Sequence, residues 1–307
     1  MTGTKQALPA PPPPLAGRPC VVCGAPLRVA IAEWAARCPE CGTWASSLEP
    51  EINARNTHVT SATEIDPTAR VAGLEQLRRE NFRQILDRIE AQVPLAGARL
   101  LDVGSAHGWF LDEAAARGAR ATGVEPEEDV AAGPLRRGLD VRCGYFPDVV
   151  AESERFDVVT FNDVLEHIPD ARATLAACAR VLRPGGVLSV NIPNADGLGY
   201  RVAASAARVG VHGPFERFWQ HGLPSPHCHY FTRASLARLV ADSGFAVEEI
   251  DALSAISRQG LWNRVHTFRR TSPASVASFA ALWAAAPVLN RPRNSDIVLM
   301  LARRAGA

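Results

Sequence analysis

Residues 97–126 read Gly-Ala-Arg-Leu-Leu-Asp-Val-Gly-Ser-Ala-His-Gly-Trp-Phe-Leu-Asp-Glu-Ala-Ala-Ala-Arg-Gly-Ala-Arg-Ala-Thr-Gly-Val-Glu-Pro. An apolar run ends in Asp102-Val103-Gly104, a turn passes through Gly108, a helix-like stretch reaches Arg117, and a second apolar run stops at Glu125. That succession is strand, loop, helix, strand, half of a nucleoside-binding unit. A Cβ at Gly104 or Gly108 would push a ligand away, so glycine there lets the backbone approach closely. Glu125 comes 21 residues after Gly104 (125 − 104), where the second strand ends. Its two carboxylate oxygens suit the paired hydroxyls of a ribose.

Two further stretches turn this pattern into a family resemblance. Asp102-Val-Gly104-Ser-Ala-His-Gly108 resembles the Asp-x-Gly-x-Gly-x-Gly loop of class I S-adenosylmethionine-dependent methyltransferases. Phe156-Asp-Val-Val-Thr-Phe-Asn-Asp-Val-Leu-Glu-His-Ile-Pro-Asp170 resembles their fourth-strand motif, and Leu182-Arg-Pro-Gly-Gly-Val-Leu188 the turn into their fifth strand. The resemblance covers residues 97 to about 250, in the family's order and spacing. It implies an α/β fold, a Rossmann-like seven-stranded doubly wound sheet of order 3-2-1-4-5-7-6 with the last strand antiparallel. It also implies S-adenosylmethionine as cofactor, held by Asp102, Gly104, Ser105, Gly108, Glu125, Phe146, Asn162 and Asp163. Two positions depart from the family pattern. Ala106 stands at the middle glycine, and Gly144-Tyr-Phe-Pro-Asp148 carries no clear acid where the family usually holds the adenine amino group.

Ahead of this region, Cys20-Val-Val-Cys23-Gly24 and Cys38-Pro-Glu-Cys41-Gly42 are separated by 14 residues (24 through 37). The spacing matches the two knuckles of a zinc ribbon, with a glycine after each second cysteine to permit a left-handed backbone. Four thiolates close a tetrahedral site, so the expected zinc is structural, with redox pairs or an iron site as the alternatives. The ribbon's charges nearly cancel, which gives it no signature of a nucleic-acid reader. Cys143 and Cys178 are expected to be buried small apolar groups.

The expected divisions are a disordered tail at 1–17, the ribbon at 18–45, a connector and covering helix at 46–96, and the methyltransferase domain at 97–304. Asp66-Pro67 reads as a helix start, followed by Val71, Leu74, Phe82, Ile85, Leu86 and Ile89 at helical spacing. This helix either covers the cofactor cleft, as the resemblance implies, or only packs on the sheet. Asp170 caps the helix after the fourth strand, Pro184-Gly185-Gly186 ends it, and Thr232 starts another that Gly244 closes. Residues 195–230 and 252–293 are expected to build the substrate side.

With 307 residues and 47% hydrophobic content, the chain has material for one large domain or for a domain and a small module. A formal charge of +1 argues against nucleic acid as partner. The opening residues lack the apolar core of a signal peptide, and the alanine-rich stretch 274–289 is too short for a membrane span, so a cytoplasmic location is expected.

Two groups offer catalytic candidates. His167 follows the fourth strand and is either a base, a histidine that anchors the loop by a hydrogen bond, or one that merely lines the cofactor pocket. His229 belongs to His227-Cys-His-Tyr-Phe-Thr232, an entry into the next helix that resembles members of this methyltransferase group. A structural hydrogen bond, a catalytic or substrate contact and a second metal site are its readings. Alternation along an extended segment would place His227 and His229 on one side. Asp102 either meets the ligand or braces the glycine-loop amides. The leading expectation is methylation of a small-molecule acceptor: a nucleotide sugar, a glycan precursor or a lipid-like intermediate. The alternatives are an RNA methyltransferase that docks through the ribbon and a non-catalytic cofactor-binding scaffold.

Overall fold

The computed structural model describes residues 15–50, 67–266 and 271–306. The tail at 1–14, most of the connector including the Asp66 cap, and the side chains of Val71 and Leu74 lie outside the described residues. Seven strands build the main sheet: β4 (Arg99–Val103), β5 (Arg120–Glu125), β6 (Asp140–Cys143), β7 (Phe156–Asn162), β8 (Leu182–Pro193), β10 (Phe245–Ala252) and β11 (Ile297–Arg304). Their spatial order is β10-β11-β8-β7-β4-β5-β6. Numbered within the sheet, this is 3-2-1-4-5-7-6, with β11 antiparallel to both β8 and β10. The expected doubly wound α/β architecture is therefore the one observed.

Register explains why the site forms where it does. Val103 lies opposite Val124 and Phe161, and Phe161 lies opposite Val190. The carboxyl ends of β4, β5 and β7 thus finish together, placing Gly104, Glu125 and Asn162 on one edge. Leu100, Leu101, Val158, Val159 and Phe161 are fully enclosed, as expected for parallel strands covered on both faces.

The covering helices are α1 (Pro67–Glu90), α2 (Trp109–Ala115), α3 (Glu128–Arg136), α4 (Ala171–Val181), α5 (Leu198–Ala207), α6 (Gly213–Phe218), α7 (Arg233–Asp242), α8 (Leu261–His266) and α9 (Pro273–Leu289). Asp170 caps α4 by accepting from Ala173 N, and Thr232 forms a reciprocal cap with Ser235 on α7. Helix α4 stops at Val181, earlier than the Pro184 turn implied, because Leu182 already pairs with Phe156. No helix among the described residues is long and apolar enough to cross a membrane.

A second sheet joins the ribbon to the larger domain. Strands β1 (Arg28–Ala30), β2 (Ala32–Arg37) and β3 (Trp44–Ser46) continue into β9 (His229–Tyr230), in the order β1-β2-β3-β9. Trp44 lies opposite Tyr230 and Ala45 opposite His229. Ser46 adds two bonds, from its amide to Cys228 O at 2.9 Å and from its hydroxyl to His227 O at 2.7 Å. Trp44 also packs edge-on against Tyr200 and Phe215. Much of 195–230 is thereby spent on holding the ribbon, a use that local patterning did not reveal.

Candidate active site

The glycine loop has the backbone its sequence requires. Gly104 has φ +75°, and a Cβ there would stand 2.4 Å from Val164 Cγ2. Gly108 has φ +74°, with a hypothetical Cβ 2.8 Å from Leu139 Cδ1. Both positions combine a left-handed conformation with no room for a side chain. Ala106, at the family's middle glycine, carries φ +44° without a glycine.

Glu125 turns into this loop. Its Oε2 accepts from Ala106 N at 2.9 Å and its Oε1 from Glu127 N at 3.0 Å. Burial raises its pKa and the two amides oppose the rise. Asp102 instead reaches across to β7, where its Oδ1 accepts from Thr160 Oγ1 at 2.7 Å and Asn162 Nδ2 at 3.0 Å. Burial pushes its pKa up to about 7 against those two donors. The loop-bracing carboxylate is therefore Glu125 rather than Asp102, because the amide of Ala106 points toward β5.

Two spaces meet at Gly104. The larger, about 310 Å³, is lined by Val124, Pro126, Tyr145, Phe146, Val164 and Ile168, with His167 and Pro50 also on its wall. Apolar side chains of this kind suit a flat ring. The smaller, about 20 Å³, lies among Asp102, Ser105, His107 and Asn162, under Arg78 and Phe82 of α1. Helix α1 thus fills both roles considered for it. Ile85, Leu86 and Ile89 are fully enclosed in the core, while Arg78 and Phe82 roof the crevice. Asp163 has φ +56° and pairs with Arg78 Nη2 at 3.6 Å.

The histidines separate. His167 Nδ1 lies 2.9 Å from Pro226 O and 3.1 Å from Ser225 Oγ, and burial lowers its pKa. His229 is buried, with Nε2 2.9 Å from Pro169 O, and it does not line the larger cavity. His227 packs against His167 and Tyr230, whereas His229 lies against Phe231. The expected common side for His227 and His229 is not found, because β9 is only two residues long and alternation does not extend to 227. Cys178 is buried as expected, but Cys143 is exposed at the end of the edge strand β6. The sequence reading passed over Glu166, which is 1% exposed and hydrogen-bonded through neither carboxylate oxygen. It also missed the wall residues Pro50 and Ile168, which no local pattern marks.

The four ribbon cysteines converge. Cys20 Sγ lies 3.5 Å from Cys41 Sγ, Cys23 Sγ lies 3.4 Å from Cys38 Sγ, and all four sulfurs fall within 4.8 Å of one another. A tetrahedral ion with metal–sulfur bonds of about 2.3 Å needs sulfurs roughly 3.8 Å apart. Gly24 and Gly42 have φ +75° and +77°, and Val22 and Cys41 aim amides at sulfur. The donor set is compatible with zinc.

Comparison with known proteins fits the same picture. The family described as "Methyltransferase domain" matches residues 74–250. The ubiquinone biosynthesis O-methyltransferase of Xanthomonas oryzae pv. oryzae (strain PXO99A) is 36% identical over 193 residues, spanning 61% of this chain and 77% of the relative. The chain belongs to the methyltransferase-domain family. Its counterpart from Xylella fastidiosa is 35% identical to this methyltransferase over 175 residues, 55% of the chain and 69% of the relative. Among solved structures, a chain from the complex of the Haloferax volcanii Trm112 methyltransferase activator aligns with TM-score 0.56 and 16% identity, covering 83% of this chain and 99% of its own. Geranyl diphosphate methyltransferase aligns with TM-score 0.52 and 18% identity, over 84% and 98%. These two likenesses concern the fold. The enzyme is a S-adenosylmethionine-dependent methyltransferase, and its crevice fits that cofactor in one testable respect. Asn162 Oδ1 is buried without a partner beside the glycine loop, where a polar amino-acid tail would satisfy it.

Proposed function

We propose that the protein methylates a hydroxyl of a small-molecule acceptor. The observation that carries the reading is the pair of spaces meeting at Gly104, one apolar and one lined by Asp102, Ser105 and Asn162. When bound, S-adenosylmethionine supplies a methyl group activated by a sulfonium. The chain's work is to hold donor and acceptor in contact, a proximity effect of up to roughly 7 to 11 kcal/mol. Glu125 accepts from the ribose with lone pairs that its two amide bonds leave free. Val124, Pro126 and Phe146 would hold the adenine without an acid, and Asn162 and Asp102 would hold the amino-acid end, with Asp163 beside them paired to Arg78. Gly108 keeps the start of α2 close to the loop.

His167 stands on the wall of the same cavity that would take the adenine, and we assign it to the acceptor's side of that space. With Nδ1 donating to Pro226 O, Nε2 keeps its lone pair. His229, with Nε2 donating to Pro169 O, holds β9 in place instead. The four cysteines bind one structural zinc, and the domain begins near residue 97 with the ribbon as its attached module. Hydroxyl methylation is supported by the O-methyltransferase relatives at 36% and 35% identity. The test is calorimetry with S-adenosylmethionine, followed by a screen of hydroxylated aromatic, glycan and lipid-like acceptors that measures S-adenosylhomocysteine. Binding followed by turnover on one acceptor class is expected; failure to bind the cofactor overturns the reading.

A further inference from the structure

Where the ribbon meets α5 lies a cavity of about 300 Å³ that shares no lining residue with either space at Gly104. Three guanidiniums stand on its wall: Arg37 from β2, Arg201 from α5, and Arg208 from the residue that caps α5. Asp196 is the one carboxylate among its lining residues, and its Oδ2 already accepts from Arg233 N at 3.0 Å. Among the described residues, no carboxylate forms an ion pair with Arg37, Arg201 or Arg208. Like charges gathered around one hollow repel, and an anion drawn into it removes that repulsion.

The helix sequence keeps the hollow open. Residues 201, 204, 205 and 208 recur at i, i+3, i+4 and i+7, so they share one face of α5. The ends of that face carry arginine, about 10 Å apart along the axis. Its middle carries Ala204 and Ser205, whose short side chains leave the space between. On the ribbon's side Arg37 lies over the Trp44 ring, with Cζ 5.6 Å from the centroid, a stacking that holds a guanidinium in one orientation. Tyr200 also lines the cavity, 1% exposed and with a hydroxyl that makes no hydrogen bond. Burial raises its pKa, and Trp219 together with the charges of Arg37 and Arg208 opposes the rise. The ribbon's arginine and the helix's therefore act on one buried group.

We propose that this cavity binds a phosphorylated small molecule, with Arg37, Arg201 and Arg208 holding its phosphate monoester. Three guanidiniums and one carboxylate leave two positive charges, which match the roughly −1.5 to −2 of a phosphate monoester at pH 7. Guanidinium forks pair with phosphate oxygens two at a time, a geometry that a point charge lacks. The volume stands at the lower end of the range of about 300–1,000 Å³ for small-molecule pockets, so it suits a compact metabolite rather than a polymer. Because Arg37 belongs to the ribbon and the other two to α5, a bound phosphate ties the two units together. None of this rests on the methyltransferase reading.

The test is calorimetric titration of the full-length, zinc-loaded protein with phenyl phosphate, ribose 5-phosphate and inorganic phosphate at low ionic strength, with S-adenosylmethionine affinity measured separately. Wild type is expected to bind one molecule per chain of at least one ester, more tightly than inorganic phosphate. Arg201→Gln and Arg208→Gln, at exposed positions, are each expected to weaken that binding about tenfold or more. Arg120→Gln, at the start of β5, should bind the ester like wild type, and all three variants should keep the cofactor affinity that shows them folded. Absence of ester binding at millimolar concentration, cavity variants that bind like wild type, or an equal loss in Arg120→Gln overturns the proposal. Inorganic phosphate bound as tightly as both esters would make the ligand a free ion and overturn it too. So would a preference for a single-stranded RNA oligomer that the cavity variants abolish. Loss of cofactor binding in wild type would sink the methyltransferase reading and leave the ester titration standing.

Discussion

The four-cysteine ribbon and the Glu166–His167–His227 cluster are neighbours along one short strand, yet they are held by opposite means. The ribbon's ligands come in local pairs on tight knuckles that flank three strands of three, six and three residues. So small a unit has little core of its own and depends on its ion and on β9. The cluster's side chains sit on the large sheet's core, with Leu165 and Phe231 fully enclosed beside them. The difference sets a direction for coupling. Disturbing the ribbon removes the partner strand of residues 229–230, while disturbing the cluster leaves the cysteines untouched.

The hardest test of that asymmetry is Cys38→Ser. It should release the ribbon zinc and lower unfolding stability by roughly 4 kcal/mol or more, as expected when a structural metal is lost. Denaturant unfolding and zinc analysis measure both. Affinity for S-adenosylmethionine should stay within a few-fold, because Gly104 follows β4 and Glu125 ends β5, outside the ribbon sheet. A collapse of cofactor affinity would show that the two regions are one unit.

Next in size is Glu125→Ala, at the end of β5 and outside the ribbon sheet. Hydrogen bonds to a charged group contribute about 1.5–3 kcal/mol. Removing the ribose partner should therefore raise the cofactor's Kd roughly 10- to 100-fold by calorimetry. Unchanged affinity would detach Glu125 from the site.

Asp102 gives a smaller effect with a definite sign. Its folded pKa, about 7, lies above the ordinary carboxyl value of 3.8, chiefly through burial. Its contribution to stability is therefore complete below the unfolded pKa and declines as pH rises through about 4 to 7. The shift sets a ceiling of about 4 kcal/mol, and relaxation around a buried carboxyl brings the expected loss to about 1–2 kcal/mol. Asp102→Asn should flatten the cofactor-free stability profile over that window. An identical slope in both proteins would refute the assignment.

What the sequence disclosed follows the same division as the two regions. Knuckle spacing and the Gly104 loop are local, so their ligands and backbone were readable residue by residue. Sheet order was readable only through the family resemblance that the three motifs carry, since chain order alone does not give the spatial order of strands. The joining of β3 to β9 was not, since five strands of the main sheet intervene in the chain between Ala45 and His229. Glu166 was passed over for the same reason: its lack of partners exists only once His227 has been folded against it. Cys143 misled because β6 is an edge strand, and its side chain lies outside the core that its neighbour Val141 enters.

The smallest effect divides the histidines most sharply. His229→Gln removes or lengthens a single bond to Pro169 O, which should cost about 1 kcal/mol of stability and leave kcat/KM within a few-fold. His167→Gln changes a residue on the cavity wall and should lower kcat/KM on the identified acceptor by roughly 100-fold or more, with cofactor affinity preserved. The two substitutions share chemistry and differ only in where the imidazole sits. If His229→Gln were to reduce turnover as much as His167→Gln while its melting temperature held, β9 would have to be counted among the elements that meet the acceptor, and the ribbon, paired to that strand, would be coupled to catalysis rather than only to stability.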